Sequence, residues 1–213
     1  MAPIDKKERV ITYVDGFNLY FGMLEAKLDE CKWLNLKKLI EKLLKQNQSL
    51  VEVKYFTSRV SNNPEKQKRQ STYIDTLETS GVKIYYGHFQ SNSIECNRCG
   101  HIWPNYNEKM TDVNIATQLM VDAYQDNYDM GMLISVDSDL VPPIRAIQSN
   151  FKNKRIFVAF PPKRHNQSVA HVSKGSMIIG KKLLRTHQFE KSIDNGQGFI
   201  LQKPTEWEVS FMK

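Results

Sequence analysis

Apolar, β-branched runs alternate with stretches of helical period along most of this chain. Arg9–Val14, Val51–Thr57, Val82–Tyr86, Met130–Val136 and Arg155–Phe160 read as strands. Between them, Leu19–Leu28, Leu34–Leu44, Pro64–Ser80 and Thr111–Gln125 carry apolar residues at helical spacing, and Pro142 and Pro143 suit the first turn of another helix. Strands separated by helices predict an α/β fold, a parallel sheet of about five strands sandwiched by helices. His88–Tyr106 breaks the rhythm as an excursion from the sheet. From Asn166 the pattern weakens, with a helix expected over Gly175–Leu184 and then a polar tail. The organisation expected is one domain over residues 1–165, its insertion at about 88–106, and a helical extension over 166–213 packed on it.

Two of the strands end alike. Ile11-Thr-Tyr-Val-Asp-Gly-Phe-Asn18 and Met132-Leu-Ile-Ser-Val-Asp-Ser-Asp139 are apolar runs that stop abruptly in carboxylates. Parallel strands of one sheet bring their carboxyl ends to a common edge, where ligands bind. Asp15, Asp137 and Asp139 are therefore expected at one crevice. A fourth acid joins them from the helix at Thr111–Gln125, whose stripe of Ile115, Ala116, Leu119, Met120 and Ala123 faces inward. At 100° per residue Asp112 falls inside that stripe, while Asp122 lies nearer its edge and reads as a solvated charge. Carboxylates that converge repel one another, and a hard divalent cation is the usual remedy.

Each acid also has an ordinary structural role open to it. Asp15 before Gly16 suits a turn, Asp137 and Asp139 suit helix capping, and Asp112 suits a helix dipole. Three separate elements delivering acids to one edge favour the metal site over three coincidences. Ser135 and Ser138 stand beside these carboxylates, and Asn18, a turn beyond Asp15, can bond a carboxylate, a water or a phosphate.

Val14-Asp-Gly-Phe-Asn-Leu19, Glu108-Lys-Met-Thr-Asp-Val-Asn-Ile-Ala116 and Ile134-Ser-Val-Asp-Ser-Asp-Leu-Val-Pro142 together resemble the NYN domain family of PIN-like nucleases, in family order. The resemblance implies a PIN-like, Rossmannoid sheet and a Mg²⁺- or Mn²⁺-dependent ribonuclease, an endonuclease acting on RNA. It assigns Asp15, Asn18, Asp112, Asp137 and Asp139 to the catalytic and metal-binding positions. Some relatives carry an Asp at the place of Gln118 here. The alternative is a non-catalytic RNA-binding or regulatory protein that keeps the fold.

The insertion carries Cys96-Asn-Arg-Cys99-Gly-His101, two thiols at zinc-knuckle spacing followed by a turn-forming glycine. His88 and His101 are the nearest further ligands for a structural Zn²⁺, and free thiols in a loop are the alternative. A formal charge of +7 in 213 residues fits a polyanionic partner. By position alone, Lys109 before the acidic helix and Lys163 and Arg164 after the fifth strand are candidates to contact a substrate phosphate, a solvated surface lysine being the alternative for Lys109. Three cysteines argue against a disulfide framework, and no long apolar run suggests a membrane span, so a cytoplasmic location is expected. Glycine-rich phosphate loops and the Gly-x-Ser-x-Gly elbow are absent from the sequence.

Overall fold

The computed structural model describes residues 7–59 and 63–208, and of residues 88–94 and 103–109 the backbone alone. The chain runs β1 (Glu8–Asp15), α1 (Gly16–Glu25), α2 (Leu36–Leu43), β2 (Gln48–Thr57), α3 (Pro64–Thr79) and β3 (Lys83–Tyr86). It continues through β4 (His88–Glu95), β5 (Ile102–Lys109), α4 (Thr111–Tyr124), β6 (Met130–Ile134), α5 (Val141–Asn150) and β7 (Arg155–Phe160). The last elements are α6 (Gln167–Val172), β8 (Ser176–Ile178), α7 (Lys181–Thr186), β9 (Ser192–Asp194) and β10 (Ile200–Gln202). A six-stranded sheet has the order β3-β2-β1-β6-β7-β8, every pair parallel.

Side-chain alternation along β1 explains the three layers. Val10 and Val14 enter one core with Trp33, Leu36 and Leu39, while Ile11 and Tyr13 enter the other with Ile115, Leu119 and Ile144. The four β1 side chains are central to the fold because both faces of the strand are covered. The chain leaves β1 toward β2 and β3 on one side and returns through β6, β7 and β8 on the other. The carboxyl ends of β1 and β6 therefore flank the point where strand order reverses, the crevice that ligands use in such sheets.

Two expectations change. The segment Gly175–Leu184 is not one helix: Ser176–Ile178 is β8, paired with β7 from Val158↔Ser176 to Phe160↔Ile178, and only Lys181–Thr186 is helical. A three-residue strand shows no period of its own, so pairing with a neighbour decides it. The sheet thereby has six strands, and α6 is its last crossover; a division at residue 165 would cut this unit in two. Beyond it, the antiparallel β9–β10 pair leads to a turn at Thr205–Trp207, whose Trp207 ring lies 6.2 Å from Trp33 and 6.0 Å from Tyr73.

Asp122 is the second change. It is 3% exposed and bonded by Lys54 Nζ at 2.6 Å and by the Tyr13 hydroxyl at 2.6 Å, so it is a buried partner and not a solvated charge. The opposite charge on β2 makes that burial tolerable, and a single-strand pattern cannot show it. Among the described residues, no helix is long and apolar enough to cross a membrane.

Candidate functional site

Asp15 is the last residue of β1 and the N-cap of α1, so one residue ends the strand and opens the helix. Asp15 as a whole is 2% exposed. One oxygen accepts the Asn18 backbone N–H at 2.9 Å; the other accepts the Asn18 amide and the Ser135 hydroxyl, the latter at 2.9 Å. Gly16 is required here, because a Cβ would meet the Tyr55 hydroxyl at 2.5 Å and the Phe56 carbonyl at 2.8 Å.

Ser135, fully buried just past β6, links the two strand ends. While donating to Asp15, its oxygen accepts the Asp137 N–H at 3.1 Å. Asp137 in turn caps the Ser138–Leu140 turn, accepting the Asp139 N–H at 2.8 Å. Burial pushes the Asp15 pKa above the ordinary aspartate value; the bonds from Asn18 and Ser135 oppose this, and the nearby charge of Asp137 adds to it.

The other expected acids share the edge without closing the cluster. Asp112 is half-buried in the first turn of α4, whose end feeds β6 and whose start therefore lies at the carboxyl edge of the sheet. Asp139 is exposed. Among the described residues, no three His, Cys, Asp or Glu side chains gather closely enough to hold a metal ion. Uncompensated carboxylates repel, so tight convergence of all four requires the counterion itself. The donor set still fits Mg²⁺ or Mn²⁺. Asp15 and Asp137 supply hard oxygens, Asp15 is fixed by three donors, and Mg²⁺ is commonly held by one or two carboxylates with waters and substrate phosphate.

The loop after β7 reaches the same place. Arg164 donates to Asn18 Oδ1 at 3.1 Å, pairs with Glu25, and sets its guanidinium 5.7 Å from the Phe21 ring. Lys163 is exposed, with a left-handed φ of 63°. Gly22 permits this approach, since a Cβ there would lie 2.6 Å from that of Pro161. The side chain of Lys109 lies outside the described residues.

The cysteine pair forms the tip of an antiparallel ribbon, β4 with β5. Cys96 N–H donates to the His101 carbonyl and Gly100 N–H to the Cys96 carbonyl, each at 2.9 Å, with Gly100 at φ 67°. Backbone amides of Arg98 and Cys99 hold the Cys96 thiol below its usual pKa. His88 cannot join this tip: its backbone pairs with Lys109 at the ribbon's base, eight residues before Cys96, or about 26 Å at strand rise. His101 is exposed beside the pair.

One feature escaped sequence reasoning. A cavity of about 530 Å³ opens at Gly16, lined by residues as far apart as Tyr20, Tyr55, Arg69 and Trp207. Its one local signal is the Tyr20-Phe21 pair on α1, left 37% and 45% exposed.

Comparison with known proteins places these features. A sequence model of the NYN domain matches residues 9–177. The chain is 25% identical over 196 residues to 6-hydroxy-3-succinoylpyridine 3-monooxygenase of Pseudomonas putida, covering 75% of this chain and 62% of that protein. It thus spans less than two thirds of that relative. A solved protein of unknown function from Vibrio parahaemolyticus has a similar fold, with a TM-score of 0.56 and 22% identity over 83% of this chain and 96% of that one.

Proposed function

The chain belongs to the NYN domain family, a nuclease fold, and from that premise we propose a metal-dependent ribonuclease hydrolysing RNA phosphodiester bonds at the β1–β6 edge. One observation carries this reading: a buried carboxylate, Asp15, faces Asp137 across Ser135 at the switch point of the sheet. Bound between such acids, Mg²⁺ or Mn²⁺ supplies an activated water and offsets charge on the phosphate. Asp15 and Asp137 would hold it, with Asp112 and Asp139 closing in from α4 and the following turn. Ser135 fixes the rotamer of Asp15 and the backbone of Asp137 at once. Asn18 both steadies Asp15 and receives Arg164, placing a cation beside the acids. Asp139 is solvent-facing and suits orientation of the attacking water.

Labelled single-stranded and structured RNAs incubated with Mg²⁺, Mn²⁺ or EDTA test the proposal. Cleavage should appear with either metal and vanish with EDTA or in Asp15→Asn. RNA binding with no cleavage in any metal would leave the fold as a binding module. The name of the Pseudomonas relative supplies a second reading, oxygenation of a small pyridine ring, which the aromatic cavity beside α1 favours. Metal-dependent RNA cleavage decides against it.

Arg164 offers an independent check. Arg164→Ala should weaken RNA binding and reduce the slope of affinity against salt by about 1, because one phosphate partner is lost. An unchanged slope would remove Arg164 from the backbone path.

The ribbon tip is read on the same terms as half of a structural zinc site. Cys96 and Cys99 supply two thiolates, Cys31 is buried in the core, and His88 is out of reach. Four ligands are the rule for structural zinc, so a second chain must complete it. Metal analysis of the purified protein should then give one zinc per two chains, abolished by Cys96→Ser; a metal-free dimer or monomer at equal yield would sink the idea.

A further inference from the structure

The cavity at Gly16 lies where α1, α3 and the Thr205–Trp207 turn meet. Its 530 Å³ falls within the range of small-molecule sites. Its position ties it to the acids. Gly16 directly follows Asp15, and the Tyr55 hydroxyl at the cavity wall is close enough to Asp15 to feel its charge. Phe21 faces the cavity with one part of its ring surface and carries Arg164 at 5.7 Å.

The walls are mainly aromatic and cationic, with one acid, Glu206, paired to Arg69. Tyr20 and Phe21 meet edge to face at 5.4 Å in the middle of α1 and remain partly open to solvent, so core packing makes little use of them. Trp207 closes the far side, resting on Trp33 and Tyr73. Lys32, Lys66 and Arg69 stand among these rings, Lys32 Nζ 5.5 Å from the Tyr20 centroid. Arg69 also pairs with Glu206 and so pins the turn that carries Trp207. Aromatic faces with cations at their rim suit a flat heteroaromatic ring attached to an anion. A nucleotide combines both parts, and stacking without base-edge readout accepts any base.

We infer that this cavity seats an unpaired nucleobase of the RNA strand, one nucleotide from the phosphate that a metal ion at Asp15 would hold, with the C-terminal turn as its outer wall. The inference rests on the ribonuclease reading for its substrate but concerns binding, which needs no chemistry. Single-stranded specificity follows, because a base paired in a duplex cannot leave its stack to enter.

The test is a binding cycle in EDTA, where cleavage is silent. A labelled single-stranded oligoribonucleotide and a series with one abasic position are titrated against wild type, Tyr20→Ala and Phe21→Ala. These side chains are exposed, so the variants should fold. Each substitution is expected to weaken binding of the full strand roughly 5- to 150-fold. At one position of the strand, removing the base should cost wild type a similar factor and cost the variants little more. Additive losses at every position would overturn the inference. So would a free nucleoside monophosphate that competes as well as the strand, because the cavity would then serve a soluble nucleotide. Base-dependent binding with no cleavage under Mg²⁺ would instead sink the ribonuclease reading and leave the cavity's role standing.

Discussion

Asp122→Ala should lower the unfolding free energy by about 3–5 kcal/mol, the cost of leaving a buried charge without its partner. Asp122 and Lys54 are 3% and 4% exposed and joined at 2.6 Å. The same carboxylate accepts the Tyr13 hydroxyl at 2.6 Å and the Asn127 amide at 3.0 Å, so three groups lose an acceptor together. Burial alone would push the Lys54 pKa down, but the bond and charge of Asp122 outweigh it and the net shift is upward. A raised lysine pKa gives stability that is complete below the unfolded value and is lost as pH rises through the folded one. In Asp122→Ala burial is opposed only by the weaker partners, Tyr85 and Glu52, the latter 3.4 Å from Lys54 Nζ, so the upward shift and the pH-dependent stability it carries should shrink. Urea unfolding of both proteins at neutral and alkaline pH measures the loss and the change in pH dependence. Lys54→Met combined with Asp122→Leu should recover much of the loss, since an apolar pair of similar volume leaves no charge uncompensated. A single variant within 1 kcal/mol of wild type would show that water reaches this pair.

The same network marks where the sequence stops being readable. Buried parallel strands are apolar on both faces, so β1, β6 and β7 stand out, and Arg155–Phe160 is found with the bounds its pattern predicts. Ile115, Leu119 and Ala123 of α4 are buried as their spacing requires. Asp122 lies on the same helical face, seven residues after Ile115, so its burial had a signal; its partner on β2 had none. The acids at the sheet edge were legible because strand ends collect there. Their mutual distances are not, because repulsion and rotamers set those, and the link of Asp15 to Asp137 runs through Ser135. The place of Arg164 after β7 puts it at the same edge, where it reaches Asn18. The cavity was invisible because its walls come from chain ends nearly two hundred residues apart, brought together by Trp207 packing on Trp33 and Tyr73. Ser176–Ile178 is illegible for the opposite reason: three residues are too few to show any period.

Asp15→Asn should reduce metal-dependent RNA cleavage by at least about a hundredfold, since even groups that only support a metal ligand are worth 10- to 100-fold. The substitution keeps the shape of the side chain and removes the charge a divalent cation needs. Asn also brings an NH₂ toward the Asn18 amide and the Ser135 hydroxyl, both donors to Asp15, so the local cap weakens too. Circular dichroism of the variant separates that effect from a loss of fold. The pH profile is the sharper measurement. Burial raises the Asp15 pKa, so without a cation its proton is held at pH values where an ordinary aspartate is ionised. The stability this group contributes is then complete below the unfolded pKa and lost as pH rises through the raised folded pKa. A cation must displace the proton, so cleavage should rise with pH through that value, and more Mg²⁺ should move the rise to lower pH. A profile that ignores Mg²⁺ concentration would mean that Asp15 binds no metal, and the acid at the switch point would then be a helix cap alone.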